Sequence, residues 1–488
     1  MAQVVLMQPS VGDMDELRDA PHLPLGLLAT AGNAVERWET VLVDQRLDGN
    51  WKESLEKAIG TDTLCTAITC MSGPQVRFAL EMAKEVKQLT DAPVIWGGMH
   101  PSLMPGQVLA SSLADIVVRG EGEITFYELL KVLEKKRSLE GILSVSFKDG
   151  GGAIRHNESR PLANDLAGLP EPAWNLVDLD LYRPGFLDRR SLNIELSRGC
   201  TRKCAYCYNH ALSRSKLRTL LPEAAAKRLF DLHDQRGVDS FYVVDDNLFL
   251  NKGMALGFAQ ILKECKRDIR WQSQGMDIRT ILSLKHTELE LLVESGLNRI
   301  SVGADSGSQR ILKILRKAYT VEEVLEANRK LARFPIIVYY SFLSGIPGES
   351  EEDLERTLDL MLELTDQNSL ARTSPVYNYF PLPGTELWQR LIAEYGFRPP
   401  ATLDEWASVD YACTNVDYLS GPMKKKLGLG YFPTLFLDRK FDEYGAPSWI
   451  KLVADFYRPV ARFRVKHKFF RFPVETVLGK ILRTRWST

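Results

Sequence analysis

The chain has 488 residues, 45% of them hydrophobic and 26% charged, with a formal net charge of −1. That is the composition of a globular protein of two or three domains; seven cysteines over this length exclude a secreted disulfide scaffold. No run of eighteen apolar residues occurs, so no spanning helix is expected. Residues 1–7 lack the basic start and cleavable apolar stretch of a leader, so a cytoplasmic location is expected.

Residues 1–147 alternate strand and helix signals. Short apolar runs at 4–7, 40–44, 64–71, 93–96 and 115–118 read as strands. Between them, 75–89 and 125–135 carry apolar residues at helical spacing. The pattern predicts an α/β fold built on a doubly wound parallel sheet, Rossmann-like, with ligands bound beyond the carboxyl ends of the strands. The segments at those ends are glycine-rich: Ser72-Gly73-Pro74-Gln75, then Gly97-Gly98-Met99-His100-Pro101, then Gly120-Glu121. Glycine lets a backbone approach a bulky ligand closely.

Residues 148–189 read as a linker. Lys148-Asp149-Gly150-Gly151-Gly152 predicts a hairpin turn, and a proline-rich crossing follows. Over 190–385 the alternation resumes, with strands at 192–197, 240–244, 269–274, 298–302, 335–342 and 374–380. Six such units predict a partial (β/α)6 TIM-like barrel, whose site lies on the loops after the strands. The polar motifs fall there: Asp245-Asp246-Asn247, the 303–308 segment and Gly345-Ile346-Pro347-Gly348-Glu349.

The loop after the first barrel strand carries Cys200, Cys204 and Cys207, spaced C-x3-C-x2-C. Three thiolates so arranged can hold three irons of a cubane cluster and leave the fourth iron open to a ligand. A zinc site is the alternative, with His210 as fourth ligand. Cys65, Cys70, Cys265 and Cys413 stand apart and read as buried small hydrophobes.

The cysteine spacing and the order of the barrel motifs resemble the radical S-adenosylmethionine (SAM) superfamily. The glycine turns upstream resemble the cobalamin domain of its cobalamin-dependent members, the group that includes anaerobic magnesium-protoporphyrin ester cyclase and hopanoid methylases. The resemblance implies that Cys200, Cys204 and Cys207 bind a [4Fe-4S] cluster. For SAM it implies contacts from Tyr206, Asp245, Asp246, Asn247, Gln274, Ser301, Gly303, Asp305, Ser306, Gly345, Pro347 and Tyr377. Tyr377 and Tyr379 point to opposite faces of their strand, and Tyr377 is taken to face the barrel. For cobalamin it implies Ser72, Gly73, Gln75, Gly97, Gly98, His100, Pro101, Gly120 and Glu121. The D-x-H-x-x-G motif of other cobalamin domains is absent, as in relatives that hold cobalamin base-off; an empty cobalamin-like fold is the alternative.

Residues 386–488 read as a mainly helical region that closes the substrate cavity and ends in a basic, aromatic tail. Its aromatics include Trp388, Trp406, Tyr411, Trp449, Phe456, Phe472 and Trp486, and from Lys451 onward ten Lys or Arg face two Asp or Glu. Such a tail can rest on the inner face of a membrane, cover an acidic substrate or form a solvated face. No nucleic-acid recognition module is present. The resemblance implies a methyltransferase in which one SAM methylates cob(I)alamin. A second SAM yields a 5'-deoxyadenosyl radical that takes hydrogen from an unactivated carbon of a small molecule such as a lipid or tetrapyrrole. Flavodoxin or ferredoxin would supply the electron. A radical oxidative cyclase is the rival within the superfamily, and a cobalamin or cluster sensor the rival outside it. Methylthiolation of tRNA does not fit, because it requires three further cluster cysteines near the N-terminus.

Overall fold

Side chains of successive residues in the first strands go to two different apolar layers, which is what period-two alternation in a sheet covered on both faces produces. The computed structural model describes residues 3–12, 19–409, 418–443 and 448–470. Tyr411, Cys413, Phe472 and Trp486 lie outside them. The N-terminal sheet has seven strands: β1 (Val4–Gln8), β2 (Thr40–Asp44), β3 (Cys65–Thr69), β4 (Val94–Gly97), β5 (Ile116–Val118), β6 (Val145–Lys148) and β7 (Ile154–His156). Their order is β2-β1-β3-β4-β5-β6-β7. The first five are parallel, as expected, and the order reverses between β1 and β3. The hairpin predicted at 148–152 is present as β6–β7, which adds antiparallel to β5. Val5, Met7, Ile68, Val94 and Trp96 pack on one face with helix Gln75–Leu89, and Val4, Leu6, Ala67, Ile95 and Val118 on the other with helix Glu123–Glu134.

A two-strand ribbon, β8 (Gly185–Phe186) with β9 (Arg189–Arg190), leads into the second sheet. That sheet consists of β10 (Leu192–Ile194), β13 (Ser240–Val243), β14 (Arg270–Ser273), β15 (Leu297–Asp305), β16 (Ile337–Ser344) and β17 (Ala371–Asn378), in sequence order and all parallel. β10 and β17 do not pair, so the barrel is partial. Between β10 and β13 a small antiparallel ribbon, β11 (Ser197–Arg198) with β12 (Arg218–Thr219), carries the cysteine loop. The first barrel strand is therefore shorter than its apolar run, because Ser197 and Arg198 pair elsewhere. β15 runs past its expected end at 302 and β16 past 342: pairing continues through a bulge between Gly303 and Asp305, and tertiary pairing outweighs the poor strand propensity of those residues.

The two units are bracketed together at β10. The buried Asn193 amide accepts from Leu23 N at 2.7 Å and donates to Leu23 O at 3.2 Å. The C-terminal helices Glu386–Tyr395 and Leu403–Ala407 place Trp388, Leu403 and Trp406 on the back of the N-terminal sheet, with the rings of Trp388 and Trp406 stacked.

Candidate active site

A cavity of about 470 Å³ opens where the carboxyl ends of β3, β4 and β5 face the cysteine loop. That is a usual size for a ligand site. The N-terminal unit contributes Thr69, Gly97, Gly98, Gly120 and Glu121, and the barrel side contributes Gly199, Tyr208 and Asp246. Leu6, Ala67, Ile95 and Phe126 line an apolar slot between the sheet and its helices. Beside Gly26 and Gly120, both on the wall, an added Cβ would meet nothing within 4 Å, so the backbone there forms an open cradle.

The cysteine loop is set by local chemistry. Gly199 has φ +87°, and a Cβ on it would lie 2.0 Å from Lys216 O, so only glycine closes this turn. Cys200, Cys204 and Cys207 are half-buried free thiols on one loop. Burial raises the Cys200 thiol and pushes Cys207 up to about 12, so iron must displace protons that are firmly held. His210 turns Nδ1 to Ser215 Oγ at 2.6 Å. Among the described residues no three His, Cys, Asp or Glu side chains converge as a single-ion site requires. Three separate half-buried thiols on one loop suit a cluster, in which each thiolate bonds its own iron.

The three polar residues after β13 divide. Asp245 is buried, accepts from Leu196 N at 2.8 Å and Ser197 Oγ at 2.6 Å, and is raised by burial; it anchors the start of the cysteine loop and does not face the cavity. Asn247 is likewise buried and donates to Asp277 at 3.1 Å. Asp246 alone opens to the cavity, where one carboxylate oxygen takes the Gly199 N–H at 3.1 Å. Asp305 was expected at SAM. Its buried carboxylate is instead occupied by Tyr206 Oη at 2.8 Å, Tyr319 Oη at 2.8 Å and Lys317 Nζ at 2.6 Å. Burial opposes the charge of Lys317, yet Asp305 beside it holds the ammonium above its ordinary range. Ser306 is also turned inward, to Thr357 Oγ1 at 3.1 Å. The remaining barrel residues keep their places near the strand ends: Gln274 is exposed, Ser301 and Gly303 are half-buried on β15, and Gly345 and Pro347 are buried in the turn after β16. Tyr377 is 43% exposed and pairs in register with Leu343, whereas Tyr379 is buried among Ala205, Ile346 and Leu387.

Of the residues expected at cobalamin, Gly97, Gly98, Gly120 and Glu121 line the cavity; Ser72, Gly73, Gln75, His100 and Pro101 do not. Gln75 is bonded to Met71 N and Pro9 O. His100 is fully buried between Ser72 Oγ, 3.0 Å from Nδ1, and the ring of Trp406, and burial lowers it to about 4. Its neutral ring thus packs the back of the loop. No described residue past 385 lines the cavity either; Trp388 and Trp406 pack behind the sheet instead.

A charged clasp was missed by sequence reasoning. Arg218 pairs with Glu121 at 2.6 Å, and Arg198 pairs with Glu123 at 2.6 Å and Glu195 at 2.7 Å. Burial works against the Glu121 charge, yet Arg218 and Arg198 hold its carboxyl below the usual range. Only the balance of carboxylates in the β5 turn against arginines around the cysteines hinted at it. The clasp joins the cavity wall of the N-terminal unit to the ribbon that presents the cysteines.

Comparison with known proteins agrees with this geometry. The radical SAM superfamily profile matches residues 194–361, and the B12 binding domain profile residues 18–130. The chain belongs to the cobalamin-dependent radical SAM enzymes, a family that contains methyltransferases, and its cofactors are a [4Fe-4S] cluster, SAM and cobalamin. It is 28% identical to an uncharacterized methyltransferase of Pyrococcus horikoshii, over 80% of this chain and 83% of that one. It is 26% identical to the anaerobic magnesium-protoporphyrin IX monomethyl ester cyclase of Cereibacter sphaeroides, over 75% of this chain and 59% of the cyclase. The solved structure of the cobalamin-dependent S-adenosylmethionine radical enzyme OxsB with aqua-cobalamin shares the fold. Its TM-score is 0.72 over 99% of this chain and 75% of that one, at 18% identity.

The cavity wall gives a direct test. Gly98 has φ +91°, and a Cβ there would lie 2.9 Å from both Cys70 O and Thr69 Oγ1. Gly98→Ala is expected to cut cobalt per chain several-fold after anaerobic loading while iron stays unchanged. Equal cobalt in both proteins would mean that this turn does not shape the cobalamin site.

Proposed function

We propose that the enzyme methylates an unactivated carbon of a small molecule, consuming two molecules of SAM per product. The observation that carries this reading is the single cavity shared by the glycine turns of the N-terminal unit and the residues around the cysteine loop. The bound cofactors supply methyl transfer and radical hydrogen abstraction. The chain's part is to hold and orient. Cys200, Cys204 and Cys207 keep the cluster at the barrel mouth, Gly97, Gly98 and Gly120 admit the corrin closely, and Asp246 offers a carboxylate to the amino group of SAM. Tyr206, Gln274, Ser301, Gly303, Gly345, Pro347 and Tyr377 would border SAM through backbone and side chain. A flavodoxin or ferredoxin would deliver the electron.

The similarity to the ester cyclase supports a second reading, oxidative cyclisation of a tetrapyrrole or lipid. One experiment separates the two. Enzyme reconstituted with iron, sulfide and cobalamin is incubated under reduction with methyl-deuterated SAM and candidate substrates. Methylation predicts a deuteromethyl product, with one S-adenosylhomocysteine and one 5'-deoxyadenosine formed for each. 5'-Deoxyadenosine with an unlabelled, oxidised product would replace methylation by cyclisation.

A further inference from the structure

The helix Ser448–Lys466 is docked by one face only. Ala454, Ala461 and Val465 are buried, toward helices Glu351–Gln367 and Gly421–Thr434. Arg462 and Lys468 fasten this side through Asp366 and Asp359. The opposite face is apolar and in solvent: Trp449, Leu452, Val453, Phe456, Val460 and Phe463 are 46%, 58%, 50%, 76%, 48% and 58% exposed. Spacings of three, one, three, four and three residues place all six on one stripe about 100° wide. A helix that served only to cover the barrel would carry polar residues there. Six large side chains in one row form the kind of contiguous patch that marks an interaction site.

We propose that this stripe lies on an anionic lipid bilayer, with the helix in the interfacial plane. Charge selects this occupant. The helix carries five Lys or Arg and one acidic residue, Asp455; Arg458 pairs with Asp455, Arg462 with Asp366, and Arg464 is buried, so Lys451 and Lys466, with His467 after them, are the helix's cations left, among the described residues, to meet a partner. A second copy of the chain packed face to face would bring two basic flanks together, whereas anionic headgroups complement them. Trp449, Phe456 and Phe463 suit the boundary between headgroups and acyl chains, and no helix among the described residues is long and apolar enough to cross a membrane. The proposal is independent of the reaction catalysed.

The test is co-sedimentation of the holoenzyme with phosphatidylcholine vesicles, with or without phosphatidylglycerol. The bound fraction is expected to be about tenfold higher with phosphatidylglycerol and to fall at high salt. Phe456→Glu with Phe463→Glu is expected to lower it by about tenfold or more. Because both rings are in solvent, iron, cobalt and 5'-deoxyadenosine formation should be unchanged in that variant; Phe456→Ser serves as a milder second variant. The proposal is overturned if the holoenzyme binds neither vesicle, or if both variants bind as well as the parent. A dimer in light scattering that the variants split would overturn it in favour of a second copy.

Discussion

Cys200→Ala is expected to abolish reductive cleavage of SAM, a loss on the order of a thousandfold or more, because the chemistry resides in the cluster and not in the side chains around it. The three thiols come from one short loop with no fourth cysteine nearby, so removing one leaves two ligands and no cubane. Cobalamin should stay. Cys200 is not among the cavity-lining residues, and the clasp from Arg198 and Arg218 to Glu121 and Glu123 does not depend on it. The check is iron and cobalt content beside chromatography for 5'-deoxyadenosine. Retained cleavage would remove this loop from the cluster site, and loss of both metals would show that the loop and the cobalamin wall fold as one piece.

Lys317→Met should have the largest effect on stability. It leaves the Asp305 carboxylate buried with two phenol donors and no cation, and an uncompensated buried charge costs about 3–5 kcal/mol. That is a large share of the roughly 5–15 kcal/mol by which a domain is held folded. The strain is compounded at Asp305, whose φ of +60° is rare for a residue with a side chain and persists only where the surroundings impose it. Tyr206 lies between Cys204 and Cys207 and is held by this carboxylate, so iron content should fall with the urea midpoint. Asp305→Asn combined with Lys317→Met removes both charges and should recover most of the midpoint, because the two sites are coupled. A double variant no better than Lys317→Met would mean that Lys317 acts by packing, not by charge.

The short apolar runs of β1 and β3 and the turns after each strand were legible because they are local. So was the cysteine loop, whose spacing depends on nothing outside it. What failed was direction. Asp245 and Asp246 are neighbours, and only the bonds that Leu196 and Ser197 give to the first decide which one faces the ligand. Asp305 and Ser306 were read as loop residues, but the β15–β16 pairing runs on past Gly303, and Lys317 and Thr357 claim their side chains. His100 looked like a ligand-side imidazole beside two glycines. It is buried by Trp406, a contact that no local pattern announces.

The bracket between Asn193 and Leu23 bears on how such chains can be recombined. The amide makes both of these hydrogen bonds with the backbone of Leu23, which lies between β1 and the first helix of the N-terminal unit, across the open margin of the barrel. Cutting the two halves apart would exchange those bonds for bonds to water and uncover the apolar residues beside them, Leu23, Leu192 and Ile194. The halves are therefore poor interchangeable modules. A chimera that takes its cobalamin half from a relative needs the residues around Leu23 and Asn193 from the same parent, and the seam belongs elsewhere in the chain.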